Sequence, residues 1–259
     1  MKTIIAGMIG LCMTAAVSFA KVQTKTIEYK QGDVVLQGYL AWDDAVSGKR
    51  PGIVVFHEWT GLGKYVQMRC EKLAALGYVA FGADIYGKGV RPANPQDAAA
   101  TSGIYSKDRA LMRARAQAGL DVLKSQPNVD VTRMAAIGYC FGGKCALELA
   151  RSGAPIVGTV TFHGALDTPN PGDAKNIKGK VLALHGAADP FVTADQVAAF
   201  EKEMTDAGVD WELTKYSGAV HAFTNPDAGN DPSKGAAYNA EADARSWEAM
   251  KAFFAEIFK

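Results

Sequence analysis

Three short segments place a thiol, a carboxylate and an imidazole in an order suited to acyl transfer. The first is Gly138-Tyr139-Cys140-Phe141-Gly142-Gly143. It follows the apolar run Met134 to Ile137 and opens a helical pattern, so Cys140 falls at a tight strand-to-helix turn, the nucleophile-elbow pattern G-x-S-x-G with cysteine for serine. Such a turn needs small residues on either side of the nucleophile and presents its side chain at the edge of the sheet. The helix N-terminus behind it favours negative charge on the sulfur, the form that attacks an acyl carbon. The N–H of Phe141 is placed to donate to the oxyanion which that attack creates. The competing reading is a glycine-rich turn around a buried, inert cysteine.

The second segment is Leu184 to Val192, where an apolar strand ends at His185 and Asp189 lies in the loop beyond. The third is Gly218-Ala219-Val220-His221-Ala222-Phe223, in the loop after the strand Trp211 to Tyr216. Taken singly, Asp189 could cap a helix beginning near Thr193 and His221 could be an ordinary loop histidine. Taken together, nucleophile, acid and histidine follow three late strands in order, which points to Cys140, Asp189 and His221 as a triad. A fourth segment, His57-Glu58-Trp59-Thr60-Gly61, follows the first parallel strand. The Trp59 N–H is the expected second oxyanion donor, and Glu58 is placed to hold or take the thiol proton. The plainer reading of Glu58 is a solvent-facing loop residue.

The elements that must position these groups alternate along the chain. A hairpin (Thr26 to Tyr29 and Val34 to Leu40, turning at Gln31-Gly32-Asp33) is followed by the strand Gly52 to His57 and a helix from about Tyr65 to Leu76. The strand Tyr78 to Ala83 leads into a loop over Tyr86 to Pro95, then a helix near Asp108 to Leu123 and the strand Met134 to Gly138. Helix 142–151, strands 157–162 and 181–185, helix 194–207, strand 211–216 and a terminal helix from about Asn239 complete the pattern. Strands separated by helix-length connections run parallel, and strands without polar alternation are covered on both faces. The expectation is an α/β fold with a mostly parallel central sheet flanked by helices and an N-terminal antiparallel hairpin. Ligands of such sheets bind beyond the carboxyl ends of the strands, where all four segments lie.

Met1 to Ala20 reads as a signal peptide, with Lys2 as a short basic start, an apolar stretch from Ile4 to Val17, and small residues at Ser18 and Ala20. Residues 21–259 are then expected as one domain, exported to the periplasm or secreted and free of the membrane once the signal is removed. That part keeps Cys70, Cys140 and Cys145, an odd number, so it is not a disulfide scaffold. A formal charge of +1 with scattered basic residues excludes a nucleic-acid partner. His57, His163, His185 and His221 fall in separate loops without ligand spacing, and there is no phosphate-cradling glycine loop, so neither metal nor cofactor is expected.

Together the four segments resemble the dienelactone hydrolase family over nearly all of residues 21–259. The resemblance is carried by G-Y-C-x-G-G at 138–143, by the H/Q-E pair containing Glu58, by Ala83-Asp84-Ile85-Tyr86-Gly87 and by Arg245-Ser246-Trp247. It implies an α/β-hydrolase fold and an ester or lactone substrate. It also implies that Glu58 engages the thiol until substrate frees it to pair with His221. Members that take chlorocatechol-derived lactones bind a carboxylate with two arginines, where this sequence has Thr101 and Asn225; Tyr105 matches an aromatic position of that pocket. Neither Asn nor Thr supplies the charge or the fork of arginine, so an uncharged or larger ester is expected. Tyr86, Tyr105 and Phe223 are the candidate substrate contacts. A thioesterase or peptidase on the same site, or a binding protein that keeps the pocket without turnover, are the alternatives. A thiol redox role is set aside because Cys140 and Cys145 lack the C-x-x-C spacing.

Overall fold

Runs of β-branched and aromatic residues with apolar neighbours on both sides form the centre of an eight-stranded sheet. The computed structural model describes residues 21–259, so the expected signal segment lies outside the described residues. In chain order the strands are β1 (Val22–Gln31), β2 (Val34–Asp43), β3 (Arg50–Phe56), β4 (Val79–Ala83), β5 (Val129–Tyr139), β6 (Gly158–Phe162), β7 (Lys180–Gly186) and β8 (Trp211–Tyr216). The helices are α1 (Lys64–Ala75), α2 (Pro95–Lys107), α3 (Arg109–Lys124), α4 (Phe141–Arg151), α5 (Ala194–Asp206) and α6 (Ala240–Ile257). Spatial order across the sheet is β1-β2-β4-β3-β5-β6-β7-β8. The hairpin β1–β2 joins β4 antiparallel, and every pairing from β4 through β8 is parallel. This is the expected α/β architecture.

The alternation of side chains along the strands divides the core into two layers. Ile53 and Val55 of β3 and Ala135, Ile137 and Tyr139 of β5 pack with Val66, Cys70 and Leu73 of α1 and Met250 and Phe254 of α6. Val54, Phe56, Met134 and Ala136 point the other way, onto Met112, Ala116 and Leu120 of α3 and Cys145, Ala146 and Leu149 of α4. A third cluster seats α5 through Val197, Phe200 and Met204 on Val181 and Ala183 of β7. The strand carrying Cys140 thus lies between β3 and β6, near the middle of the sheet, braced on both faces.

The hairpin strands are longer than expected, β1 starting at Val22 and β2 ending at Asp43, and two further elements differ more. Helix α2 occupies residues 95–107, a stretch for which the sequence pattern predicts no element. Its apolar periodicity is weak, with Gly103 and several small polar residues, and only Ala98 and Tyr105 are buried. Strand β5 begins at Val129 rather than Met134, through a polar stretch that pairs with Arg50 and Pro51 before a register shift at Gly52. In β5 the pairing with β3 overrides the local pattern, whereas α2 starts from a local N-cap at Asn94.

Candidate active site

The bend between β5 and α4 is set by close backbone approach. A Cβ on Gly138 would collide with the Gly142 carbonyl, and one on Gly142 with the Phe56 carbonyl. Cys140 takes φ 55° and ψ −119°, a region that L side chains rarely adopt. Its N–H is held by the Phe162 carbonyl at 3.0 Å, and its own carbonyl accepts the Gly143 N–H at 3.0 Å. The surroundings therefore over-determine a strained residue at the N-terminus of a helix. Cys140 is partly exposed, whereas Cys70 and Cys145 are buried and burial pushes both of those thiols up.

Beyond β7, a tight turn (Asp189 N–H to Gly186 carbonyl, 3.0 Å) aims the Asp189 side chain at His221. Asp189 Oδ2 lies 2.8 Å from His221 Nδ1, and its Oδ1 accepts the Phe191 N–H at 2.8 Å. The helix α5 is capped by Thr193 and not by Asp189, which removes the competing reading of that residue. A carboxylate only accepts, so His221 Nδ1 carries a proton and the other ring nitrogen is left for the sulfur. The His221 pKa is pushed up to about 10: burial disfavours the charged ring, but the Cys140 sulfur, by charge and by hydrogen bonding, and the Asp189 carboxylate outweigh it. The structure thus brings together Cys140, Asp189 and His221.

The loop carrying His221 is fastened from several sides. Its backbone bridges to Ala236, with His221 N–H donating to Gly235 at 3.1 Å and Ala237 N–H to His221 at 3.0 Å. Three residues on, the buried Thr224 hydroxyl meets Tyr65 Oη at 2.5 Å and His163 Nε2 at 2.7 Å. Arg69 donates to the Thr224 carbonyl at 2.5 Å and to Asp243 at 2.7 Å. The His163 ring, kept neutral by burial and by the neighbouring His221 charge, packs edge-on against His221 with centroids 5.4 Å apart.

Glu58 and Cys140 line the same cleft. Glu58 Oε2 accepts from Asn225 Nδ2 at 2.7 Å, and Asn225 Oδ1 in turn accepts the Asp227 N–H at 2.9 Å. The hydrogen-bond partner of the carboxylate is therefore the side-chain amide of Asn225 and not the thiol, because an amide N–H is a much stronger donor than S–H. Burial raises the Glu58 pKa to about 7, against the lowering effects of Asn225, His221 and Arg69.

The cleft has a volume of about 770 Å³, with Trp59, Tyr65, Val66, Phe141 and Phe191 on its walls. Trp59 and Phe191 keep 37% and 57% exposure at its mouth, which marks them as the side chains a ligand would cover. Phe141 is the first residue of α4, so its N–H has no partner within the helix. The expected substrate contacts are corrected: Tyr86, Tyr105 and Phe223 are buried and do not line the cleft. Tyr86 spends its hydroxyl on the Trp59 carbonyl at 2.9 Å and Tyr105 on the Tyr86 carbonyl at 3.0 Å, while Phe223 packs between His163 and Tyr216. Sequence reasoning missed Ser102 and Ser106, which reach the cleft from α2. The signal was present in Asn94-Pro95, an N-cap followed by proline at the first helical position.

The sequence profile of the dienelactone hydrolase family matches residues 36–258. The chain is 43% identical to the solved structure of m3DLH, with a TM-score of 0.89 and coverage of 92% of this chain and 99% of that one. It is 42% identical to a dienelactone hydrolase-like promiscuous phosphotriesterase from metagenomic libraries, with a TM-score of 0.86 and coverage of 91% and 98%. Among curated proteins, Protein usf of Aquifex pyrophilus is 30% identical over 207 residues, 77% of this chain and 86% of its own length. With an eight-stranded sheet of this order, a strained cysteine after its central strand and a profile match reaching almost to the C-terminus, the chain belongs to the dienelactone hydrolase family.

Proposed function

We propose that this chain hydrolyses carboxylic esters or lactones through a covalent thioester on Cys140. The observation that carries the reading is the hydrogen bond between His221 Nδ1 and Asp189 in a largely apolar cleft that His221 and Cys140 both line. In this scheme the thiolate attacks the acyl carbon, and the N–H groups of Phe141 and Trp59 hold the resulting oxyanion. As the C–O bond breaks, His221 passes its proton to the leaving alkoxide. His221 then removes a proton from water, which attacks the thioester carbon, and the thiolate departs as the acid is released. Asp189 keeps the ring in the required tautomer and stabilises its charged form. Glu58 is a buried carboxyl that Asn225 holds in the same cleft, and in this scheme the thiol proton rests on His221.

The cleft suits an uncharged substrate. Asn225 is committed to Glu58, and Lys144 is met by Asp167 at 2.9 Å; Lys64 and Lys234 also line the cleft, but a single ammonium lacks the bidentate fork with which arginine holds a carboxylate. Aromatic walls at Trp59, Tyr65, Phe141 and Phe191 favour a bulky apolar acyl or alcohol group.

The test is intact-protein mass spectrometry after mixing with nitrophenyl esters whose acyl groups are neutral or carboxylate-bearing. The expected result is one acyl group added per chain, mapped to Cys140, with one nitrophenol released, and neutral esters faster by about tenfold or more. A panel that leaves Cys140 unmodified overturns the reading and favours a binding protein; adducts from thioesters alone would redirect it to a thioesterase.

The same proposal includes export, with residues 1–20 removed and residues 21–259 acting as one domain. N-terminal sequencing of the protein recovered from outside the cytoplasm then begins at Lys21; a start at Met1 refutes the cleavage.

A further inference from the structure

His57 follows β3, is completely buried, and has no part in the acyl-transfer scheme. Its two nitrogens face partners that settle its tautomer. Nε2 accepts the Ile85 N–H at 3.2 Å, and a backbone amide can only donate, so Nε2 is unprotonated. Nδ1 therefore carries the ring hydrogen, and it lies 2.6 Å from the Glu58 carbonyl, which can only accept. Burial lowers the ring's pKa to about 4, in keeping with a neutral imidazole at working pH.

The Glu58 carbonyl and the Trp59 N–H belong to one peptide unit. That unit is trans, so the two groups point in opposite directions from a single rigid plane. Holding the carbonyl against the His57 ring directs the Trp59 hydrogen away from the core. The next peptide is fixed as well: the Trp59 carbonyl takes the Tyr86 hydroxyl at 2.9 Å, and the Tyr86 carbonyl takes the Tyr105 hydroxyl at 3.0 Å. Asp84 Oδ1 holds the Tyr86 and Gly87 amides at 3.0 and 3.1 Å, which fixes the loop that receives the ring's other nitrogen. The His57 ring also lies near-parallel to Phe141, the residue of the other oxyanion donor, with centroids 6.0 Å apart.

The geometry points to His57 as the positioning residue of the oxyanion hole: its Nδ1–H locks the Glu58–Trp59 peptide so that the Trp59 amide faces the developing oxyanion. This rests on the acyl-transfer reading above. The Gly61 N–H also reaches the Glu58 carbonyl, at 3.1 Å, but it belongs to the same loop and would move with the peptide if it rotated. His57 is the anchor from outside the turn, tied through Ile85 to the neighbouring β4 loop. In the same way Tyr86 and Tyr105 act on the reaction through the backbone they hold.

The experiment compares wild type, His57→Phe and His57→Gln with a neutral nitrophenyl ester, and follows alkylation of Cys140 by iodoacetamide in parallel. Phenylalanine keeps the ring but neither hydrogen bond; glutamine can supply both an acceptor and a donor at similar spacing. Alkylation needs the thiolate but forms no oxyanion, so it separates a displaced peptide from a damaged nucleophile. His57→Phe is expected to lower kcat by about 10- to 100-fold, with KM and the alkylation rate within about twofold, and His57→Gln to restore most of kcat. An unchanged kcat in His57→Phe, an equal fall in alkylation, or a His57→Gln no better than His57→Phe overturns the proposal. If wild type itself forms no acyl-Cys140, the acyl-transfer reading has failed instead. Should His57→Phe not fold, nitrogen-15 NMR of wild-type imidazoles decides: one buried ring protonated at Nδ1 alone at neutral pH supports the proposal, and its absence refutes it.

Discussion

Replacing Cys140 by alanine lowers hydrolysis of a neutral nitrophenyl ester by about 10⁴-fold or more, while the protein stays folded. The size follows from the chemistry. Without sulfur no thioester forms, and His221 with Asp189 has no nucleophile to serve, so the remaining rate comes from the oxyanion donors and binding alone. Folding is spared because the side chain is small and partly exposed, and the strained backbone at φ 55° is held by neighbours that the substitution does not touch. Cys140→Ser is the informative companion. Its hydroxyl keeps the shape but ionises far less readily than a thiol, so its rate remains far below wild type. Steady-state rates together with thermal midpoints check both variants. A Cys140→Ala enzyme within about tenfold of wild type would remove the cysteine from the mechanism.

Asp189→Asn is expected to cost about 10²- to 10⁴-fold in kcat, with a change in pH dependence that a structural defect would not produce. The Asp189 carboxylate, 2.8 Å from Nδ1, can only accept, whereas the amide of asparagine can donate and thereby select the wrong tautomer. The sign of the pH effect follows from His221, whose pKa is raised to about 10 by Cys140 and Asp189 against the opposing effect of burial. A raised pKa keeps the ring protonated through neutral pH, so acylation holds there and falls as pH climbs through about 10. Removing the carboxylate lowers the His221 pKa, so in Asp189→Asn that fall begins at lower pH. Single-turnover acylation rates from pH 6 to pH 11 measure it; an alkaline limb that does not move shows that Asp189 has no electrostatic hold on the ring.

Much of this site was legible because each candidate residue occupies the loop that directly follows a strand. An apolar run ending in a glycine-flanked Cys140, or in a loop with Asp189, identifies both the element and the side chain that emerges from it. The parallel sheet was legible because short continuous apolar runs alternate with helix-length connections, which parallel neighbours require. Helix α2 was less so, because it is anchored by two buried side chains rather than by a continuous apolar stripe. The aromatic residues were misplaced on different grounds. Whether Tyr86 faces ligand or backbone depends on the Trp59 carbonyl, which only the fold brings to it. Asn225 is the strongest case: its amide meets Glu58 across 167 residues of sequence, and no local pattern encodes that partner.

The candidate catalytic groups leave the sheet from β3, β5, β7 and β8, so the first and the last are separated by most of the polypeptide. Synthesis from the N-terminus delivers the sulfur well before the imidazole that would activate it. A nascent chain consequently has Cys140 in place before His221, and the two share one cleft only when the closing strands dock. Assembly of the candidate site in this architecture is thus a late event, because it waits for the last strand of the sheet and the loop that follows it.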